Sequence, residues 1–142
     1  MKLLFVVFTV AVLAMTMETN GEGITLPKEI VELLRNLSKV CEDETGVSEE
    51  TVQEIRRAKL SEDPKAKCYL KCIMRQLQTM REDGSLDLDL IEATMPDEIK
   101  KHGGLETVHK CKHIKEDDLC ETAYKIMVCF QKENPELTAL FE

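Results

Sequence analysis

The chain has 142 residues, 27 of them acidic against 19 basic, for a net charge of −8 with neutral histidines. That length suits one domain. The acidic balance leaves no basic footprint for nucleic acid, and such a surface is repelled by phosphate and by anionic lipid heads.

The first stretch, "MKLLFVVFTVAVLAMTMETNG", sets Lys2 before an almost unbroken apolar run of eleven residues, Leu3 to Leu13, and then small residues. This is the layout of a secretory signal, and the run is too short to cross a bilayer. The expected organisation is a signal peptide over residues 1–21, cleaved between about residues 14 and 23, and one domain over residues 22–142. No second apolar run reaches spanning length, so stable membrane insertion is not expected. Removing residues 1–21 takes away Lys2 and Glu18, one charge of each sign, so the net charge stays at −8.

The body reads as helical throughout. "PKEIVELLRNLSKVC" puts Ile30, Leu33, Leu34, Leu37, Val40 and Cys41 on one face, with Pro27 near the start, where a missing N–H costs nothing. Ser48 predicts the cap of a shorter helix running to about Leu60. Ser61 or Asp63 with Pro64 starts a helix to about Met80, whose inward face is Ala66, Tyr69, Leu70, Ile73, Leu77 and Met80. Gly84 marks a turn, and Leu86 to Met95 reads as a short helix stopped by Pro96. A further helical stretch breaks at Gly103-Gly104 and resumes toward Cys111. A last helix runs from about Asp117 to Lys132 and stops near Asn134-Pro135. The fold class expected is all-α, about six helices in one domain.

Six cysteines all follow the signal: Cys41, Cys68, Cys72, Cys111, Cys120 and Cys129. An even set in a small secreted chain predicts three disulfides. Cys68 and Cys72 lie one turn apart with parallel Cα–Cβ bonds, a poor geometry for bonding to each other. Cys120 and Cys129 face opposite sides of the last helix. Excluding those two pairs leaves about ten pairings open. The helix from Pro64 is then a central post, tied at two points to separate segments. Many domains of this length fold without bridges; secretion by itself favours them, and three contribute roughly 2–4 kcal/mol each. They are of the size that would offset a hollow core: an empty apolar cavity of about 300 Å³ costs on the order of 7 kcal/mol.

The complete spacing is Cys41-x26-Cys68-x3-Cys72-x38-Cys111-x8-Cys120-x8-Cys129. Together with "KCYLKC" and "CETAYKIMVCFQKENPE", it resembles the six-cysteine signature of insect odorant-binding and pheromone-binding proteins over the signal and the whole remaining chain. Saposin-like and plant lipid-transfer patterns, with Cys-x-x-Cys, adjacent cysteines or Cys-x-Cys, do not occur here. The resemblance implies an internal apolar cavity enclosed by the helices. It also implies the pairing Cys41–Cys72, Cys68–Cys120 and Cys111–Cys129.

On that resemblance, Ile73, Leu77, Ile126, Met127 and Phe130 are the first candidates to line a ligand pocket. Leu34, Leu37, Leu88, Ile91 and Val108 stand behind them, and Tyr124 offers a hydroxyl to a ligand's alcohol, aldehyde or ester. No Trp occurs, and few aromatics follow the signal, which favours flexible long-chain or terpenoid-like ligands over flat rings. Leu137, Leu140 and Phe141 in the tail "NPELTALFE" suggest a lid. His102, His109 and His113 are candidates for pH response. If Cys111 is oxidised, "HKCKH" keeps only two metal ligands, too few for a closed zinc site; no metal and no cofactor are expected. The sequon Asn36-Leu-Ser38 lies inside a helix, so little glycosylation is expected.

No nucleophile motif or catalytic pair is legible. The expectation is a secreted, non-catalytic carrier of a small hydrophobic molecule, working in sensory lymph or another body fluid. A chemosensory receptor is a possible partner, and a homodimer is compatible. The alternative is an extracellular interaction protein with a solid core and no small-molecule ligand.

Overall fold

A computed structural model describes residues 26–138; the expected signal peptide and the lid residues Leu140 and Phe141 lie outside them. Eight helices follow in order among the described residues: α1 Lys28–Thr45, α2 Glu49–Arg56, α3 Pro64–Gln76, α4 Leu88–Thr94, α5 Asp97–Lys101, α6 Gly104–Cys111, α7 Leu119–Glu133 and α8 Pro135–Thr138. The all-α class stands. The count exceeds six because the stretch around Gly103 is two helices and because one helical turn follows Pro135.

Helix starts obey local chemistry. The Ser48 side chain accepts from the Thr51 N–H, and that of Asp63 from Lys65, with Pro64 as the first helical residue. Asp87 caps α4, and Asp118 accepts from both Cys120 and Glu121 at the head of α7.

Two helix ends come earlier than the apolar pattern predicts. α3 stops at Gln76, not near Met80, and α2 at Arg56, not near Leu60. Both close by the same device. Gln78 turns left-handed at φ 60°, its N–H reaches the Arg75 carbonyl, and the Thr79 N–H reaches that of Met74. Ala58 does likewise at φ 62°, with Ala58 bonded to Ile55 and Lys59 to Glu54. This is the Schellman closure, which usually advertises itself with Gly or Asn at the left-handed position. Here neither residue is present, so the periodicity runs on past the true end. Met80 then forms an isolated antiparallel bridge with Leu86, which delays α4 to Leu88.

The helix α3 is the post. It packs most extensively against α7 and next against α1. Three bridges hold the arrangement: Cys41–Cys72 joins α1 to α3, Cys68–Cys120 joins α3 to α7, and Cys111–Cys129 joins α6 to α7. These are the pairs that the resemblance implies. They close separations of 31, 52 and 18 residues. The core between them comprises Ala66, Tyr69, Leu70 and Met74 of α3, Ala123 and Ile126 of α7, and Val52, Met80, Leu86, Ile91 and Val108 from around them.

The predicted face of α1 is only partly covered. Cys41 is buried, whereas Ile30, Leu34 and Leu37 are half-buried, and Leu33 and Val40 keep 46% and 48% of their surface exposed. The physical reason is that α1 has α3 as its main partner and no second helix packs extensively along it.

Candidate functional site

Six of the predicted pocket residues share one condition. Ile73, Leu88, Tyr124, Met127 and Phe130 are half-buried and packed against the core, and Leu77 is half-buried as well. They come from α3, the end of α3, α4 and α7, so the fold gathers apolar side chains from three elements. Leu34 and Leu37 add the half-buried face of α1. By contrast Ile126 is 0% exposed, and Ile91 and Val108 are each 8% exposed, so these three sit inside the core.

Two open grooves mark the surface, one of about 330 Å³ lined by Glu44, Thr45, Pro64, Lys65, Cys68 and Lys71, the other of about 340 Å³ lined by Leu26, Pro27, Pro96, Asp97 and Glu98. None of the predicted lining residues borders either groove. The candidate site is the half-covered apolar interior where these residues gather. Aliphatic and Met side chains suit that role, since they change rotamer at low cost.

Around Tyr124 the electrostatics are arranged by Lys67. Its Nζ lies 2.7 Å from Glu121 Oε2 and 4.6 Å from the centre of the Tyr124 ring. An ammonium over the ring face is attracted by the ring quadrupole. The hydrogen bond to Glu121 raises the Lys67 pKa above its ordinary value. Among the described residues the Tyr124 hydroxyl has no hydrogen-bond partner, which leaves it available.

A second polar group was missed in the sequence. Ser38, 3% exposed, joins three helices through one oxygen. Its Oγ donates to Glu42 Oε1 at 2.8 Å, lies 2.8 Å from the Tyr69 hydroxyl, and accepts from Arg56 Nη2 at 3.3 Å. Burial pushes the Tyr69 phenol pKa up; the Ser38 hydrogen bond and the Arg56 charge pull it down, and Glu42 pushes it up. The available signal was a serine within the α1 stripe, one turn after Leu34 and three residues before Cys41. The buried Ser38 side chain lies within the Asn36 sequon, held by this network.

His102, His109 and His113 all point to solvent. Cys111 is bonded to Cys129 and is no metal ligand. Leu137 of the expected lid is half-buried in α8, which packs on α7.

A helical domain whose six cysteines pair first to third, second to fifth and fourth to sixth has the architecture of the insect odorant-binding proteins. The sequence pattern of the PBP/GOBP family matches residues 25–133, and the chain belongs to that family. It is 34% identical over 115 residues to the B1 protein of Tenebrio molitor, covering 78% of this chain and 85% of that protein. Among solved structures, the Locusta migratoria odorant binding protein lmigOBP1 superimposes with a TM-score of 0.73 at 35% identity, over 82% of this chain and 90% of that one. The fatty acid binding protein OBP56a from the oral disk of the blowfly Phormia regina superimposes with a TM-score of 0.64 at 26% identity, over 79% of this chain and 97% of that one. Among the described residues no helix is long and apolar enough to cross a membrane.

Proposed function

We propose that this protein is a secreted, non-catalytic carrier that takes one small hydrophobic molecule into its apolar interior and moves it through extracellular fluid, with delivery to a chemosensory receptor as one destination. The observation that carries this reading is the set of half-buried apolar residues on α3, α4 and α7, in a three-bridge fold that ties α3 to α7 through Cys68–Cys120 and is shared with odorant-binding proteins. The ligand sits among Ile73, Leu77, Leu88, Met127 and Phe130, with Leu34 and Leu37 at its α1 side and Ile91, Val108 and Ile126 as its floor. Tyr124 supplies a hydrogen bond at one edge. Long-chain and terpenoid-like molecules suit such an interior better than flat rings do. The blowfly relative's name, fatty acid binding protein, is in keeping with a long-chain ligand. The tail from Leu137 through Leu140 and Phe141 serves as the lid.

The test is titration of the oxidised, signal-free, delipidated protein with an apolar fluorescent probe such as N-phenylnaphthylamine, followed by displacement with long-chain alcohols and terpenoids. Saturable binding at about one probe per chain, with competition, is the expected outcome. Absence of saturable binding by correctly bridged protein would instead make it a solid-core interaction protein.

A further inference from the structure

The Ser38 network has a fixed polarity. A carboxylate only accepts and a guanidinium only donates. The single Ser38 proton therefore goes to Glu42, and the two lone pairs of Ser38 receive Arg56 and Tyr69. Tyr69 must be the donor to Ser38, and Ser38 is saturated. Glu42 is reached only through that serine. Arg56 is different: half-buried, it makes one hydrogen bond to Ser38 and no ion pair among the described residues. Its remaining N–H groups form a cationic fork with no acceptor among the described residues. A partly buried guanidinium in that condition is matched by an anion with two parallel oxygens.

The surroundings say what else such an anion carries. One turn before Ser38 is Leu34, and one turn after Tyr69 is Ile73, both half-buried. Ile55 precedes Arg56 and packs on the core. The Gln131 side chain donates to the Ala58 carbonyl, which brings the α7 end that carries Phe130 to the end of α2. The charged fork thus stands at the rim of the apolar interior. We infer that Arg56, backed by Ser38 and Tyr69, is the head-group anchor of the binding site and that its preferred ligand is a long-chain aliphatic carboxylate. This inference rests on the carrier reading and adds to it the charge of the ligand. It runs against the net charge of −8, which opposes anions on the molecule as a whole, so the preference must be local.

The experiment compares dodecanoate, dodecanol and methyl dodecanoate as competitors of the neutral fluorescent probe at neutral pH, on the wild type and on Arg56→Gln, Arg56→Lys and Arg57→Gln. Arg57 is the exposed neighbour, so its substitution changes net charge equally without touching the network. The wild type should favour dodecanoate over dodecanol by about ten-fold or more, the scale of a charge-assisted hydrogen bond. Arg56→Gln should remove that preference and leave dodecanol and probe affinities within about two-fold, Arg56→Lys should restore part of it, and Arg57→Gln should leave it in place. Equal wild-type affinity for acid and alcohol overturns the anchor, as does an acid preference that survives Arg56→Gln or falls equally in Arg57→Gln. If Arg56→Gln fails to fold, Arg56→Lys carries the test: an acid preference reduced there and kept in Arg57→Gln supports the anchor, and one undiminished in Arg56→Lys overturns it. If the probe itself does not bind, the carrier reading falls; if the probe binds and the acid has no advantage, only the anchor falls.

Discussion

Helices α1 and α7 carry apolar stripes of similar make-up and are buried very differently. In α7, Ala123 and Ile126 are completely enclosed, with Met127 and Phe130 packed beside them. In α1, only Ser38 and Cys41 are buried, while Val31, Leu33 and Val40 remain exposed. The α7 helix is held by two bridges and packs on α3, α6 and α8; α1 is held by one bridge and packs chiefly on α3. Amphipathicity determines which face of a helix is fit to be covered, and the number of neighbours determines how much of it is. A carrier needs this inequality. A fully packed bundle leaves no room, and a loose one does not keep its walls.

The strongest way to break the contrast is to cut both ties of the post. Chain-entropy reasoning assigns about 4 kcal/mol to each of Cys41–Cys72 and Cys68–Cys120. Replacing all four cysteines with alanine should remove about 8 kcal/mol, comparable to the whole stability of a domain of this size. Far-ultraviolet circular dichroism should find that variant largely unfolded at room temperature. A cooperative, fully folded variant would show that the packing of α3 on α7 suffices alone.

A gentler comparison uses one residue from each helix. Ile126→Ala creates a cavity in the core and should cost about 2–5 kcal/mol. Leu33→Ala alters an exposed position and should stay within about 0.5 kcal/mol. Urea unfolding of the two variants measures the difference directly, and similar losses would mean that the α1 face is covered in solution.

The smallest effect concerns the join between α1 and α3. Burial raises the Tyr69 pKa in the folded state, so unfolding releases a proton once pH passes the ordinary tyrosine value of about 10. This contribution to stability is complete below that value and is lost as pH rises through the folded pKa. The melting temperature should therefore fall more steeply with pH in the wild type than in Tyr69→Phe above about pH 10. Parallel curves would mean that Tyr69 is not enclosed as described.

Much of the helical plan was legible locally. Ser48, and Pro64 with Ser61 or Asp63 before it, announce helix starts because a short acceptor side chain meets unpaired N–H groups wherever it occurs. The two early stops were not legible, since Ala58 and Gln78 adopt left-handed backbone without the residue types that usually mark it. The candidate site divides in the same way. Stripes on α3 and α7 were readable from periodicity, but periodicity does not separate a half-buried Ile73 from an enclosed Ile126. Arg56, Ser38 and Tyr69 lie on three helices and gave no joint signal.

What the sequence by itself determined is the set of local and covalent possibilities: helices from 3.6-residue periodicity, caps from short polar side chains, and six cysteines at a spacing that resembles one family. Helix geometry left about ten pairings open and the resemblance implied one of them; the tertiary structure selects that one by proximity, bringing Cys72 to Cys41, Cys68 to Cys120 and Cys111 to Cys129. The structure alone also decided which apolar faces are covered and where a guanidinium meets a buried serine. The reason is physical: capping and periodicity act within a turn or two of chain, whereas burial and long-range hydrogen bonds depend on which helices pack together.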